Sequence, residues 1–205
     1  MANPDRQRRE RAVRSYSVHE MSGIIGASGV GVGVHTNAPP ELELPNVGVV
    51  GIEMNTDGDI FTGRTEIPHD LNRRHPIGVR LKYATESADS ADTMQWTVLF
   101  DIIDEGEAYA IGATALDTAI ANDTLTGTVD TMERTARGII NGNTVSASQR
   151  LNGSDFVWSI AATSRAAGFG ENCILLALML DYVPRGWQGP DTAPNPAVDD
   201  DGIGA

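Results

Sequence analysis

A regular alternation of apolar and mostly polar residues over 94–102, MQWTVLFDI, is the feature that most constrains how this chain folds. Successive side chains of a β-strand point to opposite faces of a sheet, so the alternation predicts a strand with one buried face. Residues 77–83 repeat the pattern. Further runs with strand character lie at 47–54, 58–66, 129–140, 155–162 and 173–183.

Turn dipeptides separate these runs. Asp57-Gly58, Asn141-Gly142 and Asn152-Gly153 are typical of tight connections between antiparallel strands. Helical periodicity is weak throughout, and seven or eight short strands with this spacing are typical of a sandwich. We therefore predict an all-β fold, an antiparallel β-sandwich of the jelly-roll kind. Its predicted interior includes Trp96, Phe100, Trp158 and Leu178.

Composition divides the chain into four segments. We predict a basic and flexible N-terminal arm over residues 1–20, a glycine-rich linker over 21–43, the sandwich domain over 44–183, and a proline-rich, acidic and flexible C-terminal tail over 184–205. The chain has no apolar run of the roughly 18 residues that a spanning helix needs and no apolar leader near its start. We expect no membrane partner and a protein that stays in the compartment where it is made.

The net charge of −13 at pH 7 argues against a nucleic-acid partner, because the folded body would repel phosphates. The arm is the exception. A run of arginines there is typical of a solvated tail, and the functional alternative is attachment through a flexible segment to an acidic surface of protein or nucleic acid. The candidate docking residues are Arg6, Arg8, Arg9, Arg11 and Arg14.

No motif predicts catalysis, a cofactor or a metal. The sequence contains no GxSxG, HExxH or phosphate-binding glycine motif, and the single cysteine, Cys173, has no partner. The acidic run 101–107, DIIDEGE, spreads its carboxylates over a strand and the following turn, so it favours a structural role over a hydrolase site. Loops 55–61 and 122–130 carry oxygen ligands suited to calcium, but neither has EF-hand spacing. We predict that the protein is not an enzyme.

The three tryptophans suggest an alternative to a purely structural role, because exposed indole rings can stack on sugars and form a carbohydrate-binding platform. Trp96 and Trp158 keep step with the inward residues of their strands and are predicted core, which leaves Trp187 in the tail for a partner.

The stretch 134–141, RTARGIIN, predicts that Arg134 and Arg137 form either structural ion pairs within the chain or pairs across a contact between subunits. If Gly138 and Ile140 lie on one face with Ala136, then Arg137 lies on a mixed face, where arginine can pair with a carboxylate. The run 173–183 is apolar on both faces at its centre, which predicts either a central strand or a strand covered by a neighbouring subunit. The predicted oligomer interface contains Arg134, Arg137, Leu175 and Met179.

Four segments together resemble a family of phage virion proteins, the capsid decoration (cement) and appended head or tail proteins. The segments are WTVLFD at 96–101, TALDT at 114–118, DTLTGTVDTMERTARGIIN at 123–141 and LMLDYVP at 178–184. The resemblance implies a compact jelly-roll or related β-sandwich. It also implies a non-enzymatic structural role on the outer surface of a phage capsid, commonly as a homotrimer bound to the lattice of the major capsid protein. The expected location is the virion, after synthesis in the host cytoplasm, and the alternative role is a carbohydrate- or receptor-binding module of a tail or head fibre.

Overall fold

The structure, a computed structural model, describes residues 12–21, 41–44, 49–55, 59–107, 114–115, 123–125, 127–129, 131–165 and 170–185. Strands are numbered here in chain order over these residues. They are β1 (Ala12–Ser17), β2 (Glu41–Leu44), β3 (Val49–Glu53), β4 (Ile60–Glu66), β5 (Ile77–Thr85), β6 (Thr93–Ile103), β7 (Thr114–Ala115), β8 (Asp123–Thr124), β9 (Thr131–Arg134), β10 (Gly138–Ile140), β11 (Asp155–Arg165) and β12 (Cys173–Tyr182).

Two antiparallel sheets contain all of the described strands. One has seven strands in the order β10-β5-β12-β3-β2, with β9 also paired to β5 and β1 also paired to β12. The other has five strands in the order β4-β11-β6-β7, with β8 also paired to β6. The predicted all-β, antiparallel, jelly-roll-like sandwich is therefore confirmed.

Helices are short where the structure describes them. They are α1 (Val18–Met21), a 3-10 helix (Gly142–Thr144) and α2 (Ala147–Leu151). Ser146 caps α2, because its hydroxyl accepts from the Gln149 backbone while the Gln149 side chain accepts from the Ser146 backbone. None of these helices has the length or apolar character needed to cross a bilayer.

The core fills the space between the two sheets, as the alternation of β6 predicts. Trp96 and Phe100 are 2% and 4% exposed, and both Trp158 and Leu178 are fully buried. The Tyr83 ring of one sheet lies 5.4 Å from the Trp96 ring of the other, measured between centroids. Phe100, Phe156 and Trp158 form a second aromatic cluster in the five-stranded sheet. The four residues predicted inside are therefore confirmed as core.

The boundary of the predicted basic arm is wrong. Residues 12–17 form β1, which pairs with β12 from Ala12 opposite Tyr182 to Ser17 opposite Ala177. Polar side chains at three of the six β1 positions hide the alternation, since Ala12 and Tyr16 pack against the core while Val13 is exposed. Residues 1–11, which include Arg6, Arg8, Arg9 and Arg11, lie outside the described residues.

Strand β12 is central, which is one of the two placements that its apolar run predicts. It pairs with β5 along one side and with β1 and β3 along the other. A register shift between Leu175 and Ala177 reverses which alternate residues face the core. Leu175 is fully buried and packs in the main core, so its predicted place in an oligomer interface is wrong.

Candidate functional site

An open groove of about 460 Å³ lies where α1 and the end of β1 meet the edge strand β4. Its floor includes Thr65, Ile67 and Ser154, and Gly153 belongs to its wall. Its volume is in the range of small-molecule pockets, about 300–1,000 Å³. Besides the hydroxyls of Thr65 and Ser154, six larger polar side chains line the groove, those of Tyr16, Glu20, Arg64, Glu66, His69 and Asp155.

Gly63 sets the distance between α1 and β4. A Cβ at position 63 would lie 2.9 Å from the Met21 Cβ and 2.9 Å from the Phe61 ring, closer than real Cβ contacts come. Met21 is fully buried and anchors α1 in the core. The missing side chain at Gly63 therefore lets α1 close this side of the sandwich and holds Glu20 at the groove.

Glu20 is oriented by a reciprocal cap. The Ser17 backbone N–H donates to Glu20 Oε2 at 2.6 Å, and the Glu20 backbone N–H donates to the Ser17 hydroxyl at 3.2 Å. The hydrogen bonds from Ser17 hold the pKa of Glu20 below its ordinary value. Glu20 therefore presents an ionised carboxylate to solvent at the groove.

Arg64 and Asp155 form an ion pair across β4 and β11. Arg64 Nη1 lies 3.1 Å from Asp155 Oδ2, and the Arg64 side chain is 44% exposed while that of Asp155 is 13% exposed. Asp155 lies directly opposite Glu66 in the strand register. The pair thus fixes a guanidinium and a carboxylate side by side, with a second carboxylate on the neighbouring strand.

Tyr16 gives the groove an amphipathic element. Its ring packs against the core, and its hydroxyl lies 3.5 Å from the Glu66 carbonyl oxygen. Burial raises the pKa of the Tyr16 hydroxyl, and the Arg14 guanidinium opposes that rise. The hydroxyl therefore stays protonated at neutral pH and able to donate.

The loop between α2 and β11 gives the groove a rigid wall. Gly153 has a φ of +72°, which a residue with a Cβ rarely adopts. The Ser154 hydroxyl donates to Gln149 O at 2.5 Å and also contacts Asp104 Oδ1. Ile67 N–H donates to Ser154 O at 3.4 Å, which continues the contact between the β4 and β11 strands.

Arg14 has partners in its own chain and is not part of a free arm. Its guanidinium lies 3.6 Å from Asp70 Oδ1 and 5.9 Å from the centre of the Tyr182 ring. Arg14 therefore lies in a strand and not in the flexible arm predicted for residues 1–20, and its role in docking stays a prediction.

The structure separates the residues of the predicted interface. Arg137 pairs with Asp181 of its own chain at 2.9 Å, which is the structural pairing that the sequence left open beside a subunit contact. Its place in an oligomer interface stays a prediction. Arg134 is exposed on β9 opposite Lys82, and Met179 is half-buried on β12 between Ser15 and Arg80. Thr135 is buried and Ala136 exposed, the reverse of the predicted faces, although Gly138 and Ile140 are buried as predicted.

The candidate calcium loops do not form a second site among the residues that the structure describes. Asn55, in the first candidate calcium loop, donates to Asn172 Oδ1 at 2.8 Å and accepts from Cys173 N–H at 2.7 Å, which ties the ends of β3 and β12 together. Among the residues the structure describes, no group of three or more His, Cys, Asp or Glu side chains could hold a metal ion. Trp187 and most of the second calcium loop lie outside the described residues.

The groove residues were not predicted from the sequence. A signal existed at the start of α1, where Ser17-Val18-His19-Glu20 matches the S-x-x-E capping box. The charged partners on β4 and β11, Arg64 and Asp155, have no local signal in the sequence, because their proximity depends on strand register.

No protein-family model matches the chain, and no curated protein matches it. Solved structures that it resembles include the CBM36-1 domain of a multidomain xylanase from the hindgut metagenome of Trinervitermes trinervoides, with 8% sequence identity, a TM-score of 0.42, and coverage of 82% of this chain and 96% of that one. The xylan-binding module CBM15 gives 12% identity, a TM-score of 0.39, and coverage of 86% and 99%. The K1 cleaved adhesin domain of Lys-gingipain from Porphyromonas gingivalis W83 gives 13% identity, a TM-score of 0.33, and coverage of 87% of both chains. At these identities the likeness concerns the fold alone.

Proposed function

We propose that this protein is a non-catalytic binding module that holds a carbohydrate in the groove beside α1 and β4. The observation that supports this role is the set of fixed donors and acceptors around an open volume of about 460 Å³. Sugar hydroxyls both donate and accept, so they suit a guanidinium held beside carboxylates. The half-buried Tyr16 adds an aromatic ring with a polar end.

The charge of the groove favours a neutral sugar. Glu20, Glu66 and Asp155 supply three carboxylates, against the single guanidinium of Arg64. An anionic ligand would meet repulsion from the carboxylates, whereas a neutral one gains hydrogen bonds to them.

The test is calorimetric titration of the full chain with the tightest binder from a panel of neutral oligosaccharides. Arg64→Ala and Glu66→Gln should each weaken binding by about tenfold, since each removes a charge-assisted hydrogen bond. Glu105→Gln, in the exposed turn after β6, is the matched control and should bind as the unmodified chain does.

Trp187→Ala tests whether the sugar binds in the groove or at the C-terminal tail. If Trp187→Ala abolishes binding while Arg64→Ala and Glu66→Gln retain it, the sugar site lies in the tail and the groove proposal is wrong. Release of reducing sugar from the bound oligosaccharide would contradict the non-catalytic part of the proposal.

A second candidate is the structural virion role, in which copies of the chain assemble on a capsid. The observation that favours it is the edge formed by β9 and β10, where the apolar side chains of Met132 and Ile139 are 47% and 39% exposed near the exposed Arg134. Edge strands with exposed apolar groups are templates for association. Mass measurement in solution and on particles tests this role: a trimer that Met132→Lys dissociates would support it, and a monomer in both settings would contradict it.

A further inference from the structure

Arg150 on α2 is a buried cation that lacks a carboxylate partner among the described residues. Its side chain belongs to a residue only 3% exposed. Its Nη1 donates to the Leu71 carbonyl oxygen, but its Nε has no hydrogen-bond partner. None of the salt bridges in the described part of the chain includes Arg150. A buried charge without an opposite charge is costly, so a native structure that contains one needs an explanation.

Backbone contacts bring two more arginines toward Arg150. Leu71 forms an isolated β-bridge with Pro184, and Asn72 N–H donates to Val183 O at 2.9 Å. Arg185 N–H donates to Asp70 O at 2.5 Å. The loop after β4 and the end of β12 therefore run side by side, and Arg73 and Arg185 extend from these two segments on the exposed surface.

The electrostatics agree with this arrangement. Burial lowers the pKa of Arg150, and the positive charges of Arg185 and Arg73 lower it further. Asp70, the acidic residue of the same loop, is already engaged: the Tyr182 hydroxyl donates to its Oδ1 at 2.9 Å, and Arg14 lies 3.6 Å from the same atom. The three guanidiniums thus form a concentration of positive charge on a chain of net charge −13.

We infer that Arg150, Arg73 and Arg185 form a binding site for an oxyanion. Phosphate, sulfate and carboxylate groups share the chemistry that fits, because their oxygens match the planar fork of a guanidinium. Arg150 supplies a fixed donor held against Leu71, and the two exposed arginines supply charge from the solvent side. This site is separate from the groove, and its proposal does not depend on carbohydrate binding.

The test uses the full chain and sulfate as the probe. Thermal unfolding is followed while sodium sulfate is added, with sodium chloride at matched ionic strength as the reference. We expect a saturable rise in Tm with sulfate beyond that with chloride, because an anion that binds the native state stabilises it.

Variants at the exposed arginines avoid the risk of misfolding that accompanies a change at Arg150. Arg73→Gln with Arg185→Gln should weaken sulfate binding by roughly tenfold or more, since two charged donors are lost. Arg134→Gln, an exposed arginine on β9, is the matched control and should leave sulfate binding unchanged. Equal sulfate responses in the double variant and the control would overturn the proposal.

A further variant identifies the source of the oxyanion. Asp199, Asp200 and Asp201 of the same chain could supply carboxylates, and Asp199→Asn, Asp200→Asn and Asp201→Asn together remove them. Tighter sulfate binding in this triple variant than in the unmodified chain would assign the site to the chain's own acidic run. Equal sulfate binding would assign it to an external anion. If sulfate raises the Tm of neither the unmodified chain nor the triple variant beyond the effect of chloride, the proposed oxyanion site is wrong.

Discussion

The Arg137 guanidinium lies directly over Gly78, where its Nη2 is 2.9 Å from Oδ1 of Asp181. The same carboxylate oxygen accepts the Gly78 backbone N–H at 3.1 Å. A Cβ at position 78 would overlap both the carboxylate of Asp181 and the Nε of Arg137. The ion pair that joins the segment before β10 to β12 therefore requires glycine on the strand between them.

Gly78→Ala should destabilise the protein, because the added methyl displaces the ion pair from the face of β5. We expect a loss of about 1–3 kcal/mol in the free energy of unfolding, as for overpacking in a close-packed site. Urea unfolding measures it, with Ala136→Ser at the exposed neighbour of Arg137 as the control. Unchanged stability of Gly78→Ala would contradict the close approach.

The two buried tryptophans should differ in their response to the same substitution. Trp158 Nε1 donates to Thr65 Oγ1 at 2.8 Å, whereas Trp96 Nε1 is buried with no hydrogen-bond partner among the described residues. Trp158→Phe therefore leaves the Thr65 hydroxyl without a donor, and should cost about 1 kcal/mol more than Trp96→Phe. Thermal and urea unfolding of both variants test this ranking, and the reverse order would contradict it.

Removal of the whole Trp96 side chain should be severe. Trp96→Ala takes away the ring that packs on Tyr83 between the two sheets, and the expected loss is about 3–5 kcal/mol of unfolding free energy. Unaltered thermal stability would mean that β6 presents its other face to the core.

Tyr182 should make stability fall at high pH. Burial, followed by the hydrogen bond to Asp70, raises the pKa of Tyr182 to about 12 from its ordinary value. The unfolded chain then releases this proton near pH 10 while the folded chain retains it, so stability decreases between about pH 10 and pH 12. Tyr182→Phe should show a smaller decrease over this interval, and parallel pH profiles for the two proteins would refute the assignment.

Gly63→Ala should impair the groove as well as stability. The added Cβ would push Met21 away from β4, and Glu20 moves with it. We expect a loss of about 1–3 kcal/mol in unfolding free energy and weaker binding of the oligosaccharide selected for the unmodified chain. Met132→Ala, an exposed change on β9, serves as the control for binding. If Gly63→Ala binds the oligosaccharide as tightly as the unmodified chain, then α1 does not contribute to the binding site.

Local patterns in the sequence predict the sandwich because a strand with one buried face has an apolar residue at every second position. The alternation over β6 is enough to identify Met94, Trp96, Val98 and Phe100 as core. The pattern fails at β1, where Arg14 occupies a position with the same parity as the packed Tyr16. A long arginine can do so because its guanidinium reaches over the Tyr182 ring toward Asp70 and solvent.

The groove and the arginine site depend on long-range register, which local patterns do not contain. Arg64 meets Asp155 only because β4 and β11 pair with Asp155 opposite Glu66. Arg150 approaches Arg73 and Arg185 only because the loop after β4 lies against the end of β12. The apolar centre of β12 left both a central strand and a subunit contact open, and the neighbours β1, β3 and β5 decide for the central strand.

The pairing of β1 with β12 also sets the order in which the protein can be completed during synthesis. These two strands come from opposite ends of the described chain, so β1 leaves the ribosome long before its partner exists. Contacts between such distant segments form slowly, because a long loop must close first. We therefore expect the side of the sandwich that β1 covers, including the Tyr182 ring and the part of the groove that Tyr16 lines, to be among the last parts of the nascent protein to close.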